Sequence, residues 1–526
     1  MSEQPAAKNG DGWRPAGNPW LITVAVTLAA FMEVLDTTIV NVALPHIAGT
    51  LSVSYDQATW ALTSYLVANS IVLPISAFFS RLLGRKRYFL ICIIAFTACS
   101  FLCGISNSLS QLIIFRILQG FFGGGLQPSQ QAIVLDTFPA AQRGRAFSLT
   151  AIATVVAPVL GPTIGGLITD SFSWRWVFFI NVPVGLLTAF AVMSLVEDPP
   201  WVKKQKASSI DYIGIGLIAL TFASFQIMLD RGEDADWFSS SFIRTCAALA
   251  AVGAAGAVGW LLYAAKPVVD LRVLKDRNFA LGCCAIGCFA VILYGSNVLI
   301  PQLAQEHLGY TATLAGLVLS PGALIIIFLI PLVSLLMPHV QTRYILGFGF
   351  FLMGCGLLYS RRIAPDIDFN HLVILRAAQA MPLAFLFVPA SVLAYQSVPQ
   401  QLQGDAAALF TMFRNVAGSI GISLSTAFVA SRTQTHMAYL SEHLSHSSST
   451  FQNALSQLSA AIKGLGSVAG DATQAALRQT YQTLISQAGL LAYMDVFLYC
   501  ALLAFAFVPF TFLFSPVRKP GGAATH

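Results

Sequence analysis

The chain has 526 residues, of which 56% are hydrophobic and only 10% charged, and its mean hydropathy is +0.72. Because soluble domains carry about 25% charged residues, this composition excludes a soluble globular fold. The formal net charge of +6 does not indicate nucleic-acid binding, since the basic residues lie in short segments between apolar runs.

Apolar runs of about twenty residues recur along the chain, and each is long enough to cross a bilayer core of about 30 Å as a helix. Runs bounded by charged residues, Gly, Pro or Asn predict fourteen spans. The predicted spans begin near residues 20, 57, 88, 109, 146, 176, 210, 242, 279, 312, 344, 371, 407 and 490. The sequence therefore predicts an all-α membrane protein.

The positions of Lys and Arg predict the orientation. The even-numbered connections and the two termini hold 18 of the 29 basic residues, the odd-numbered connections hold 8, and three lie within spans. Because basic segments stay on the cytoplasmic side, we expect residues 1–19 and 515–526 in the cytoplasm. The first apolar run is too long for a signal-peptide core, so we expect it to be retained.

The first predicted span contains two carboxylates in the stretch FMEVLDTTIVNVALP. Glu33 and Asp36 lie about 60° apart around a helix. An ionisable residue at the centre of a span costs about 2.5 to 3.5 kcal/mol on insertion scales, so it faces a cavity or a partner. This pair is a candidate for binding and releasing a proton, with Asp36 as the principal site and Glu33 as a modifier.

The fourth predicted span supplies a cation. Arg116 and Gln119 lie one turn apart in LIIFRILQG. A guanidinium stays charged and pairs well with a carboxylate, so Arg116 is expected to hold Asp36 ionised until a proton or a substrate displaces it. A permanent structural ion pair is the alternative.

The fifth predicted span contains APVLGPTIGG. Ala157, Gly161 and Gly165 are four residues apart, which puts them on one helix face and allows a neighbouring helix to approach closely. Pro158 and Pro162 each remove an intrahelical hydrogen bond and permit a bend.

The chain repeats itself. R-x-x-Q occurs at Arg116 and again at Arg376, an offset of 260, and NVALP at 41–45 returns as NVLIP at 297–301. Spans 1 to 6 therefore correspond to spans 9 to 14. The predicted units are a six-helix bundle at 20–200, two linker helices at 201–278 and a second bundle at 279–514.

The repeat is not complete. Arg376 and Gln379 match Arg116 and Gln119, but span 9 offers Tyr294 and Asn297 rather than a carboxylate. Arg414, in span 13, is expected either in the cavity or at a helix end. The predicted substrate contacts are Asn41, Trp60, Gln127, Gln130, Tyr294, Asn297 and Arg376.

Residues 431–489, between spans 13 and 14, form a long hydrophilic stretch with apolar residues at helical spacing. We expect an outward helical hairpin that either caps the exit or docks a partner. Three histidines occur here (His436, His443 and His446), but their spacing does not indicate a metal site.

Several motifs together resemble one family. LDTTIVNVALP, RILQG, WRWVFFINVPVG and QIMLDRGEDADWF look like the fourteen-span EmrB/QacA group of drug:proton antiporters in the major facilitator superfamily. Gly161, Pro162, Gly165 and Gly166 resemble its antiporter motif, G-P-x-x-G-G.

This resemblance implies a major facilitator fold of two six-helix bundles plus two inserted helices. It also implies proton-coupled export of hydrophobic drugs across a bacterial inner membrane by alternating access. An EmrA-like periplasmic adaptor and a TolC-like outer-membrane channel are the implied partners, and no cofactor, metal or nucleic acid is expected.

One loop departs from the family pattern. In SAFFSRLLGRKR, Arg81 stands where major facilitators usually place Asp. The role of that Asp therefore does not carry over, and we interpret this basic cluster as a determinant of topology.

Other functions have less support in the sequence. Export of a native metabolite or lipid, or uptake by proton symport, remains an alternative direction of transport. The sequence has no G-x-x-x-x-G-K-[ST] loop and no H-E-x-x-H, and we identify no nucleophile with a base, so we expect neither an ATP-driven pump nor an enzyme.

Overall fold

The computed structural model describes residues 15–199, 210–264, 267–364, 367–442, 444, 449–464 and 469–516, and within these ranges the regular structure is entirely helical. In the described part of the chain, thirteen helices are long and apolar enough to cross a membrane, and a bent pair adds a fourteenth span. The prediction of fourteen spans in an all-α membrane fold is thus confirmed.

The spans are numbered 1 to 14 in chain order. Their bounds are Pro19–Leu51, Tyr55–Leu83, Arg85–Gly104, Leu109–Thr137, Arg143–Val156 with Leu160–Ser171, Trp176–Leu195, Tyr212–Arg231, Ser241–Tyr263, Arg277–Glu306, Thr313–Leu336, Thr342–Arg362, Phe369–Tyr395, Gln400–Glu442 and Ala472–Leu513.

Span 5 is the bent pair, and its two parts meet at 47°. A π-helical segment, Ile152–Val156, ends the first part, and the next α-helix begins at Ala157. Pro158 follows at once, and Pro162 lies one turn later. A π-segment and prolines both interrupt the regular hydrogen-bond ladder, so the bend has identifiable causes.

The first and last described residues lie on the same side of the helix bundle. The Ala16 amide donates to Glu197, just after span 6, and the Ser515 amide donates to Asn278, at the start of span 9. We call this side the termini end, and the opposite side, which carries helix Ser449–Gly464, the hairpin end.

The two halves meet along helices from each repeat. Span 2 and the second part of span 4 pack against span 13, and span 5 packs against span 10. The inserted span 7 packs against span 8 and also contacts spans 2 and 13. The inserted helices therefore lie beside the bundle.

Spans 13 and 14 extend together beyond the other helices at the hairpin end. Arg432 and His436 on span 13 both contact Asp495 on span 14, at 2.7 and 2.8 Å. The helix that contains span 14 begins at Ala469, about twenty residues before its predicted start. A separate helix, Ser449–Gly464, packs against it. His443 and His446 lie outside the described residues.

Candidate transport site

Asp36 lies in a buried network that joins four spans. Its carboxylate accepts hydrogen bonds from Arg116 Nη1 at 2.6 Å, Gln119 Nε2 at 3.0 Å and Asn181 Nδ2 at 2.8 Å. Asn181 also donates to Ser100 on span 3 at 3.0 Å. The structure thus brings together Asp36, Arg116 and Gln119, as predicted, and adds Asn181 from span 6.

Arg116 is held rigidly in this network. Its Nε donates to the Ala61 carbonyl at 3.0 Å and its Nη1 to Gln119 Oε1 at 2.9 Å. The guanidinium also lies over the Tyr65 ring at 4.0 Å and near the Phe178 ring at 5.7 Å. Both members of the ion pair are fully buried. This geometry suits a cation that fixes one carboxylate in place.

Glu33 has different partners. Its carboxylate accepts hydrogen bonds from Asn69 Nδ2 at 3.0 Å, from the Tyr65 hydroxyl at 3.4 Å and from Gln127 Nε2. All three donors are neutral, although Glu33 is only 2% exposed. The two carboxylates, one turn apart on span 1, therefore differ in charge compensation.

Close helix packing explains how span 4 reaches both networks. A Cβ added to Gly124 would lie 2.6 Å from the Asn69 carbonyl oxygen, so only glycine allows span 4 to approach span 2 this closely. The glycines before Gln127 allow its amide to reach Glu33. Gln119, two helical turns before Gln127, donates to Asp36.

The small-residue face of span 5 packs on span 1. A Cβ on Gly161 would collide with the Thr38 side chain, and one on Gly165 would lie 3.2 Å from the Ile39 carbonyl oxygen. On span 10, a Cβ on Gly316 would lie 2.9 Å from Thr163 Cα. Span 5 is therefore packed closely against span 1 of its own half and span 10 of the other.

The second half contains a matching network without a carboxylate. Arg376 Nη1 donates to Ser296 and to Gln379 Oε1, at 3.3 and 3.2 Å, and its Nη2 donates to Asn297 Oδ1. Gln379 donates to Ser360 at 2.7 Å. Ser360 matches Ser100 at the offset of 260. The arginine, the glutamine and the serine are thus repeated in the second half, whereas the carboxylate is not.

The other predicted contact residues are more scattered. Gln130 is buried, and the Tyr294 ring packs against Gly418 of span 13. The Trp60 ring lies 4.5 Å from the Arg231 guanidinium and belongs to the contact between spans 2 and 7. Asn41 is exposed on span 1.

Sequence analysis missed three polar partners of the carboxylates. Tyr65 and Asn69 lie in the apolar stretch SYLVANS, and Asn181 lies in a motif that we used only for family resemblance. Polar residues within apolar spans were the available signal. Their partners depend on how the helices are rotated against one another.

The interpretation of Arg81 as a topology determinant alone is corrected by an ion pair between the halves. Arg81 Nη1 of span 2 lies 2.5 Å from Asp405 Oδ2 of span 13. Nearby, the Tyr395 hydroxyl donates to Gln131 Oε1 at 2.7 Å, and the Tyr395 ring stacks on Phe147. These contacts join the halves at the termini end.

The polar side chains of the site are bonded to one another by hydrogen bonds and an ion pair. The site's titratable groups are carboxylates held by amides and guanidinium groups. Among the described residues, no cluster of His, Cys, Asp and Glu is arranged to hold a metal ion.

Comparisons with known proteins agree with this fold. The sequence model of the Major Facilitator Superfamily matches residues 26–422 and 283–522. The multidrug export protein EmrB of Escherichia coli (strain K12) is 36% identical over 495 residues, which cover 93% of this chain and 96% of EmrB. The fatty acid resistance protein FarB of Neisseria gonorrhoeae is 32% identical, covering 95% and 97% of the two chains.

A solved structure has the same fold. A bacterial homologue of the human lysosomal transporter Spinster, in an inward-facing and unoccupied conformation, superposes with a TM-score of 0.52 at 15% identity, covering 96% of this chain and 99% of that one. With fourteen spans, an internal repeat of six and these relatives, the chain belongs to the major facilitator superfamily and, within it, to the EmrB group of transporters.

Proposed function

We propose that the chain is a proton-coupled antiporter that exports hydrophobic drug-like molecules across a bacterial inner membrane, with both termini in the cytoplasm. EmrB, a multidrug export protein, supports the drug-export part of this proposal over nearly the whole chain. Alternating access is the mechanism that two repeated halves around a central site provide.

The hydrogen-bond partners of Glu33 are the observation on which the proposed proton coupling rests. Protonation of Asp36 would break its ion pair with the buried Arg116. For Glu33 no ion pair is described: its hydrogen-bond donors are neutral, and its attraction to a cation is the longer-range one to Arg414. We therefore assign proton binding to Glu33 and the positioning of Arg116 to Asp36, which reverses the roles expected from the sequence. Gln119 and Asn181 stabilise the Asp36 carboxylate.

The central polar residues are the proposed substrate contacts. Gln127 donates to Glu33, the Tyr294 ring packs against Gly418 of span 13, and the buried Gln130 lies one turn after Gln127, so a substrate between the halves would meet them together. Asn297 and Arg376 extend this surface into the second half. Gly161, Pro162, Gly165 and Gly166 would act through the packing of span 5 on span 1.

The membrane potential is a sufficient energy source for such export. Moving one elementary charge through 100 mV yields about 2.3 kcal/mol, which corresponds to a roughly fifty-fold concentration ratio. At the hairpin end, the extended spans 13 and 14 are the proposed contact for an EmrA-like adaptor, which would lead to a TolC-like channel.

A reconstituted transport assay tests the coupling. In proteoliposomes with an imposed pH gradient, adding a hydrophobic drug should dissipate the gradient, as reported by a trapped pH-sensitive dye. Glu33→Gln should abolish this drug-dependent proton flux while retaining drug binding. Undiminished flux in Glu33→Gln would refute the assignment of the proton to Glu33.

Export of a native lipid or metabolite is the second candidate. FarB is named for fatty acid resistance and is 32% identical to this chain. Proton flux that responds to fatty acids but to no member of a drug panel would favour this function.

A further inference from the structure

Three arginines lie completely inside the spans. Arg116, Arg376 and Arg414 are 0%, 0% and 1% exposed, respectively. A guanidinium remains charged when buried, so each needs compensation from nearby groups. Arg116 has an ion pair with Asp36, whereas no ion pair is described for Arg376 or Arg414.

Arg376 donates only to neutral acceptors, and some N–H donors of its cluster have no acceptor. Its Nη1 and Nη2 bond to oxygens of Ser296, Gln379 and Asn297, while its Nε is buried without a described partner. Asn297 Nδ2 is also buried without a partner. Because Asn297 Oδ1 accepts from the guanidinium, its Nδ2 must face the other way. The cluster thus presents one full positive charge and two unused N–H donors. Arg116 Nη2 and Arg414 Nη1 are also buried without a described partner, but Arg116 pairs with Asp36 and Arg414 is in electrostatic reach of Glu33. Arg376 is therefore the one of the three for which no nearby carboxylate is described.

The first half shows what such a cluster binds. Arg116, Gln119 and Ser100 occupy the positions that Arg376, Gln379 and Ser360 occupy 260 residues later. In the first half, the Asp36 carboxylate accepts from the arginine, from the glutamine and from Asn181. In the second half, the corresponding stretch of span 9 supplies Ser296 and Asn297, neither of which carries a charge.

We propose that Arg376 and Asn297 form an anion site for the acidic group of an amphiphilic substrate, whose carboxylate takes the place that Asp36 holds in the first half. This proposal rests on the proposed export function and names its substrate class. A carboxylate would accept from Arg376 Nε and Asn297 Nδ2 and would balance the guanidinium charge.

The proton-binding residue and the anion site lie in different halves. Glu33 is in electrostatic reach of Asp36, Tyr65, Tyr294 and Arg414, whereas Arg376 contacts polar groups of spans 9 and 12. An acidic substrate at Arg376 therefore binds without displacing the partners of Glu33 or Asp36. Its exchange for a proton follows from movement of the halves rather than from direct competition for one group.

Equilibrium binding to matched amphiphiles tests the site. The full chain in phosphatidylcholine nanodiscs is titrated with decanoate, decanamide and decyltrimethylammonium, and partitioning into empty nanodiscs is subtracted. We expect decanoate to bind about tenfold more tightly than decanamide, because charge-assisted hydrogen bonds are formed with the carboxylate only. Equal binding of the two by the wild-type protein would overturn the proposal without any mutation.

A pair of matched substitutions locates the site. Asn297→Asp places a carboxylate beside Arg376 and should remove the preference for decanoate over decanamide. Asn415→Asp makes the same change beside Arg414, whose Nε and Nη2 donate to Asn415 Oδ1 at 3.2 Å. This control should keep the preference, and its loss in Asn415→Asp alone would assign the anion to Arg414 and overturn the site at Arg376.

Arg376→Gln supplies a second measurement. It should reduce the decanoate preference to within about twofold, with a monodisperse peak in size-exclusion chromatography as the check on folding. Binding is measured without a pH gradient, so absence of drug-dependent proton flux would count against the proposed function alone. Proton flux with drugs but no decanoate preference would count against the anion site alone.

Discussion

At the residue scale, Glu33 and Asp36 show how two identical groups acquire different properties. They are one turn apart on span 1, yet the 60° between them directs Asp36 toward spans 4 and 6 and Glu33 toward span 2 and the later part of span 4. One carboxylate balances a buried guanidinium, while the other is bonded by neutral groups. Their substitution should therefore have different consequences.

We expect Asp36→Asn to destabilise the protein much more than Glu33→Gln, although each replaces a carboxylate with its amide. Asp36→Asn leaves Arg116 buried without a counter-ion, a change that typically costs about 3 to 5 kcal/mol. Glu33→Gln changes hydrogen bonds to neutral donors, worth about 1 kcal/mol each. The measurement compares the melting temperatures of the two purified variants, obtained by fluorescence-detected size-exclusion chromatography after heating. Equal losses would show that the ion pair contributes little to stability.

At the element scale, span 5 depends on the absence of side chains at its glycines. Gly161 faces Thr38 on span 1, and a methyl group there would collide with the Thr38 side chain. Gly259 on span 8 offers a contrast, because a Cβ at that position would meet no atom within 4 Å. The same substitution is therefore disruptive in one span and accommodated in the other.

Gly161→Ala should lower stability by about 1 to 3 kcal/mol and slow transport, since overpacking moves span 5 away from span 1. The double substitution Gly161→Ala with Thr38→Ala should restore much of the stability and of the transport rate, because Thr38 supplies the colliding atoms. Gly259→Ala is the control. Transport rates and melting temperatures of the four proteins test the contact, and failure of Thr38→Ala to rescue would place the effect elsewhere in span 5.

The extent to which elements are predictable follows from what hydropathy measures. Apolar runs report the thickness of the bilayer, so all fourteen spans were predictable. They do not report where a helix ends outside the membrane, and the helix of span 14 begins at Ala469 although its apolar run starts near residue 490. The arginine in span 4 and the acids in span 1 were predictable as partners. The pairing of Arg116 with Asp36 was also predictable, whereas the neutral partners of Glu33 were not, because helix rotation decides which polar residues reach it.

At the scale of the whole molecule, the two halves are joined at the termini end by Arg81 and Asp405. Arg81 is on span 2 and Asp405 on span 13, and Asp405 is almost fully buried. Arg81→Asp would bring two carboxylates together at this contact. Alternation between two states requires contacts of this kind to break and re-form in each cycle.

Arg81→Asp should open the termini end, and the charge exchange Arg81→Asp with Asp405→Arg should close it again. A change of about 1 to 2 kcal/mol would alter the population ratio roughly 5- to 30-fold. Spin labels at Arg87 and Gln400, both exposed at this end, report the distance between the halves. Arg343→Asp, with the same charge change at the start of span 11, is the control. An unchanged distance distribution in Arg81→Asp would show that the pair does not hold the halves together.

The hairpin end carries the last prediction, which concerns assembly with partners. Leu455, Leu458 and Ile462, the three large aliphatic residues of helix Ser449–Gly464, are half-buried, and the helix packs against the span 14 helix. Replacing Ser449–Gly464 with a Gly–Ser segment of equal length removes this helix while keeping spans 13 and 14 connected and joined through Asp495. If the helix docks an adaptor, drug transport in proteoliposomes should be retained while drug resistance of cells falls.

The control for this replacement keeps the helix and alters its outer face. Asn453 and Gln457 are exposed, so substituting both with Ala leaves the packing against span 14 in place. Docking through that outer face would make this variant lose cellular resistance as well, whereas docking through the apolar face would leave it unaffected. Equal loss of transport in proteoliposomes and of resistance in cells, after removal of the helix, would instead favour a cap over the exit. In that case the adaptor would have to contact another part of the hairpin end.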